Sequence, residues 1–152
     1  MMARSWFIVL CIIPVLLLLT GCSHGQKPSS MASAKGAFND LRAAVRNEIR
    51  DPARATEVTG LVDQLEQLMI EAGEGRNTHT TRLNALIANY DAPEEDFKAA
   101  FREFNAKRTS RQDQILAIDQ KARSLTTDKE WKAIAKAAAH ALEAATRVEQ
   151  GM

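Results

Sequence analysis

Few residues in this chain could do chemistry. Among its 152 residues are two cysteines (Cys11 and Cys22), three histidines (His24, His79 and His140) and a single tyrosine. Cys22 is the best placed: it follows Leu19-Thr20-Gly21 directly. Its thiol is a nucleophile that can take up a thioether-linked lipid, and Gly21 beside it lets a protease approach the backbone closely. The histidines offer less. The residues three before them are Gly21, Arg76 and Ala137, so no Glu-x-x-His pair of the di-iron bundle type is formed. There is no HExxH, no GxSxG, no phosphate-cradling GxxxxGK[ST] and no dinucleotide fingerprint. Beyond the leader, the methionines are Met31, Met69 and Met152, too scattered for a copper-binding stripe. No catalytic, cofactor-binding or metal-ligating residue is assigned, and the expectation is a protein that is not an enzyme.

The segment before Cys22 explains its setting. Arg4 is the single charge of a short N-terminal region, and Trp6 to Leu19 form an apolar run broken only by Pro14. This is the layout of a secretory signal, with a run shorter than the roughly 20 residues a spanning helix needs. A charged start, such a run and then Leu19-Thr20-Gly21-Cys22 resemble the leader and lipobox of bacterial lipoproteins. The resemblance covers residues 1–22. It implies that Leu19, Thr20 and Gly21 form the signal-peptidase motif, that residues 1–21 are removed, and that Cys22 carries a diacylglyceryl group and, in many bacteria, a further acyl chain such as palmitate on its new amine. Two or more chains hold a protein stably, at ~0.8 kcal/mol per buried methylene. The mature chain would then be anchored to a membrane without crossing it. Ser23, where an aspartate would retain such a protein at the inner membrane, implies the outer membrane of a Gram-negative host, with the domain in the periplasm.

Composition narrows the partners. The leader carries off one cation and no acid, leaving equal numbers of basic and acidic side chains. Balanced charge gives no electrostatic case for nucleic acid or for an anionic membrane surface. With Cys11 in the leader and Cys22 lipidated, no thiol remains for a disulfide or a redox pair, so packing alone must hold the domain together. Length allows one domain with one core.

The elements that must carry any surface are helical throughout. Residues 22–33 read as a polar, lipidated, flexible tether, and residues 34–150 as an all-α, mostly antiparallel bundle of four to five helices. A first helix is expected from about Ala34 to Arg50, with Phe38, Leu41, Val45 and Ile49 as its stripe. Asp51 caps a second helix that starts at Pro52 and runs to about Ala72, with a seam of Val58, Leu61, Val62, Leu65, Leu68 and Met69. Gly60 lies within it, either at a close helix crossing or without consequence; Gly73 and Gly75 are expected to stop it. A shorter third helix, about Thr78 to Tyr90, would bury Leu83, Leu86, Ile87 and Tyr90 and leave His79 exposed. Asp91-Ala92-Pro93 breaks the chain. A long helix then runs to about Ser124, its first-turn acids Glu94, Glu95 and Asp96 complementing the helix dipole. Thr127-Asp128-Lys129-Glu130 is a capping box for a last helix bearing Trp131, Ile134, Ala135, Ala138, Leu142, Ala145 and Val148, with His140 at its surface.

One stretch interrupts an apolar face. The stripe of Phe97, Phe101, Phe104, Ile115 and Ile118, continued at the same spacing, passes through Arg108 and Arg111. Lys107, Arg108 and Arg111 are therefore the candidate partner surface, because arginine favours carboxylates and phosphates, with Lys98 and Arg102 flanking. The leading functional expectation is a non-enzymatic, lipid-tethered interaction module docking another cell-envelope protein. An alternative is a chaperone-like envelope-stress protein: Leu125-Thr126-Thr127-Asp128 is similar to the start of the Leu-Thr-x-x-Gln signature of small helical periplasmic stress chaperones, although Lys129 stands where glutamine would be. Small-ligand or metal binding inside the bundle is a third class, and the second-helix seam also has the look of a homodimer face, although core packing explains it more simply.

Overall fold

The computed structural model describes residues 31–149. The signal segment, Leu19, Thr20, Gly21, Cys22, His24 and most of the tether lie outside the described residues. Four helices make up the fold: α1 (Met31–Glu48), α2 (Pro52–Ala88), α3 (Glu94–Ser124) and α4 (Asp128–Glu149). The segment assigned to the tether thus contributes its last residues, from Met31 on, to α1.

Local chemistry places the helix ends. Asp51 precedes α2 with extended backbone, and its carboxylate accepts from the Arg54 amide at 2.8 Å, with Pro52 in the first helical position. At the other end Asn89 closes α2, and its side chain accepts from the Asp91 amide at 3.1 Å. Pro93 opens α3, whose first turn holds Glu94, Glu95 and Asp96. Before α4, the Glu130 carboxylate accepts from the Thr127 amide at 2.8 Å while the Thr127 hydroxyl accepts from the Glu130 amide at 3.3 Å. Both halves of the expected capping box are formed.

The core is built on α1. Phe38, Leu41, Val45 and Ile49 are almost fully buried, each stabilising the fold by about 1.5–3 kcal/mol. They meet Val58, Val62 and Leu65 of α2, and Ile134, Ala141, Ala144 and Ala145 of α4. The most extensive packing is between α1 and α4, ahead of α2 with α3 and α1 with α2. Alanine explains it: small side chains let α4 lie close against the large ones of α1. Ala141 and Ala144, absent from the expected stripe, are part of this contact. Val58, Val62 and Leu65 of the second-helix seam are buried in this core with Met69 packed against it, while Leu61 and Leu68 are half-buried and line a concavity shared with Ala117 and Ile118 of α3.

Successive helices run antiparallel. Arg42 of α1 donates through Nε to Asp63 at 2.8 Å and through Nη2 to Glu66, which raise its pKa against some desolvation, Glu66 contributing most. Lys121 of α3 reaches Glu57 of α2 at 3.0 Å. Arg54 of α2 grips Glu130 of α4 through both terminal guanidinium nitrogens, at 3.1 and 3.2 Å.

Helix α2 corrects the sequence reading. Gly73 and Gly75 do not stop it, and the expected third helix is its continuation; the whole element has 37 residues. A glycine ends a helix by adopting a left-handed backbone, and neither residue does so here. Packing on α3 overrides the weak local signal: Ala72 is buried between the helices, and a Cβ on Gly75 would lie 3.6 Å from the Arg111 guanidinium. Gly60 has open space around it and marks no close crossing.

The continuity has a large consequence. At ~1.5 Å per residue, α2 spans about 55 Å and α1 about 27 Å. The first half of α2 and the second half of α3 join α1 and α4 in a four-helix body. The remaining halves, from about Ala72 around the turn to Ser110, extend as a two-helix arm of about 25 Å. Among the described residues no helix is long and apolar enough to cross a membrane.

Candidate functional site

The arm is where side chains are available. Fewer apolar residues can be covered where only two helices pack: Ala100 is the one fully buried residue of α3. Leu83, Leu86, Phe97 and Phe104 are half-buried. Ile87 and Tyr90, expected inside, are outside: Ile87 is 65% exposed, and Tyr90, in the turn after α2, is fully exposed. Phe101 is 48% exposed. His79, expected at the surface, is half-buried instead. Its imidazole stacks on Phe104 with 4.2 Å between ring centres and meets Phe101 edge-on at 5.4 Å. An aromatic knot of this kind is a structural use of a histidine.

The three candidate basic residues do not form one patch. Lys107 donates to Glu103 at 2.8 Å, and Glu103 also accepts from Arg82 of α2 at 2.8 Å. Lys107 first and Arg82 second hold the Glu103 carboxyl below its usual range. Arg111 is half-buried against Gly75 and faces α2. Arg108 is exposed. Charge thus varies along the arm. The turn and first turn of α3 hold Asp91, Glu94, Glu95 and Asp96, while the root of the arm holds Lys107, Arg108 and Arg111. Lys98 bridges Glu95 at 2.8 Å and Glu94 at 3.0 Å, and these partners, Glu95 foremost, raise its pKa.

Two concavities bear on ligand binding. Leu41, Val58, Ile115, Ile118, Trp131 and Ile134 surround an interior apolar space of about 90 Å³, well below the roughly 300–1,000 Å³ of small-molecule sites. A wider open groove, about 470 Å³, lies at the waist where the arm leaves the body. Phe38 of α1, Met69, Gly73 and Asn77 of α2 and Val148 of α4 line it. Among the described residues, no group of three or more histidine, cysteine, aspartate or glutamate side chains is arranged to hold a metal ion.

The Leu125–Glu130 stretch is occupied locally. The Leu125 carbonyl accepts from Arg54 at 3.0 Å, and the Thr126 hydroxyl donates back to the Ala122 carbonyl at 3.0 Å. Thr127 caps α4, and Arg123 lies over the Trp131 ring at 5.4 Å. The Arg54 hydrogen bond, then the Thr127 amide, lower the Glu130 pKa to about 2. These residues lock the α3–α4 corner to α2. Compared with protein-family models, with curated proteins and with solved structures, the chain matches none.

Proposed function

We propose that this chain is a lipid-anchored envelope lipoprotein that works as a non-enzymatic protein-interaction module, its four-helix body carrying an arm that reaches a partner protein. The observation behind this reading is the arm itself: a two-helix extension with exposed apolar and charged side chains, on a body whose core is already complete. Helix length beyond what the core needs is explained by use as a surface. The lipidated Cys22 would fix the module at a membrane and raise its local concentration there. The Lys107 flank of the arm, with the outward Arg102, is the surface offered to an envelope partner.

Photo-crosslinking in living cells from positions 102 and 107, read by mass spectrometry, tests the module. One dominant envelope protein is the expected product. A broad set of unrelated exported proteins would favour a client-holding chaperone instead, and no adduct from either position would overturn the docking role. The anchor is tested separately. Cys22→Ser should abolish labelling by a radioactive or clickable fatty acid, and labelling that persists would sink the lipoprotein reading.

A further inference from the structure

The flank of the arm opposite Lys107 carries exposed apolar side chains. The Arg82–Glu103 bridge marks one flank. At about 100° per residue, Phe101 lies about 160° around α3 from Glu103, and Ile87 about 140° around α2 from Arg82. Both therefore face the other flank. Ile87 also lies five helical turns beyond Met69, on the same face of α2, and Met69 packs against the core formed with α1 and α4. The exposed flank is thus the upward continuation of the face that α1 and α4 cover, and it lies beyond the level those helices reach among the described residues.

Charge along this flank is ordered. Glu94, Phe101 and Arg108 are spaced by seven residues, two helical turns, and share one stripe of α3. An acid stands at one end, bridged within the helix by Lys98 at 3.0 Å, a base at the other, and an aromatic 48% exposed at the middle. Such a stripe is complementary to itself when turned end for end.

We propose that the arm of a second copy covers this flank, antiparallel about a two-fold axis at Phe101. Glu94 of each copy then faces Arg108 of the other, and the two Phe101 rings meet on the axis. Two bare two-helix arms become one four-helix bundle, the usual way such faces are covered. The parallel arrangement would set the acidic turns against each other and is disfavoured. The overlap of about 25 Å buries roughly 1,000 Å² in total, the lower limit of specific interfaces, so the dimer is weak and reversible. This inference deepens the interaction-module reading by naming one partner of the arm, and it depends on neither the lipid nor the partner at Lys107.

The test uses the full chain in its membrane, expressed as two differently tagged copies, with benzoylphenylalanine at position 101 to keep an aromatic ring there. Irradiation should give an adduct of twice the chain mass carrying both tags. Glu94→Arg and Arg108→Glu should each reduce its yield up to roughly tenfold, because every dimer contains the pair twice and each exposed pair is worth a few-fold. The double variant E94R/R108E should restore it, which a folding defect at either position would not do. Absence of the doubly tagged adduct, or a double variant no better than the single ones, overturns the dimer. Adducts from position 107 report on the envelope partner instead, so the two readings fail separately.

Discussion

Replacing Gly73 and Gly75 by alanine asks whether α2 is continuous through the waist. In a helix interior glycine is about 1 kcal/mol less favourable than alanine, mostly because its unfolded chain is freer. A Cβ on Gly73 meets nothing within 4 Å, and one on Gly75 meets only the Arg111 guanidinium at 3.6 Å, an ordinary contact with the end of a flexible side chain. Neither residue has the left-handed backbone that would make a side chain costly. Each substitution should therefore stabilise the protein by about 1 kcal/mol. The pair should raise the midpoint of thermal unfolding by roughly 6–10 °C for a domain of this size. Circular dichroism at 222 nm follows the melt. Hydrogen exchange should show slower opening of the amides around residues 71–79, where the gain is local. A helix that stopped at these glycines would respond in the opposite sense, because alanine is strained in a left-handed cap. A lowered midpoint for Gly73→Ala would refute the continuous helix and, with it, the arm.

Further expectations concern the body. Leu41→Ala removes an almost fully buried side chain from the centre of the core and should cost about 2–5 kcal/mol in urea unfolding; a loss below ~1 kcal/mol would mean that the core lies elsewhere. Glu130 gives a pH dependence. Its folded pKa is depressed to about 2 from an ordinary 4.5, so its contribution is complete above the unfolded value and is lost as pH falls from about 4.5 through about 2. Glu130→Gln should flatten the stability profile in that window, and a variant with the parental slope would show that the Arg54 grip adds nothing. Thr127→Ala, which removes the hydroxyl of the same capping box, should cost about 1 kcal/mol at neutral pH, measured by the same denaturation.

Much of this architecture was legible in the residue order because it depends on neighbours a few positions away. The 3- and 4-residue spacing of Phe38, Leu41, Val45 and Ile49 identifies a helix face wherever the chain goes. Asp51-Pro52 and Thr127 with Glu130 satisfy free amides within one turn, so their roles follow from local chemistry. The candidate surface was only half legible. Spacing put Arg108 and Arg111 on the apolar stripe of α3, but it could not show that Arg111 turns onto Gly75 or that Lys107 is engaged by Glu103. His79 shows the same limit: its stacking on Phe104 joins residues of two helices, and nothing near it in sequence announces an aromatic partner.

The sequence by itself thus determined the helical class, the caps at Asp51 and at Thr127 with Glu130, the apolar stripe of α1, and the Cys22 setting from which lipidation is expected. All of these are properties of short segments. Only the tertiary structure decided which helices are neighbours, that α2 continues through two glycines, and that an arm outruns the body. The physical reason lies in the energies. A glycine costs a helix about 1 kcal/mol, and burying the residues on either side against α3 outweighs that. Whether such burial occurs is set by residues more than twenty positions away.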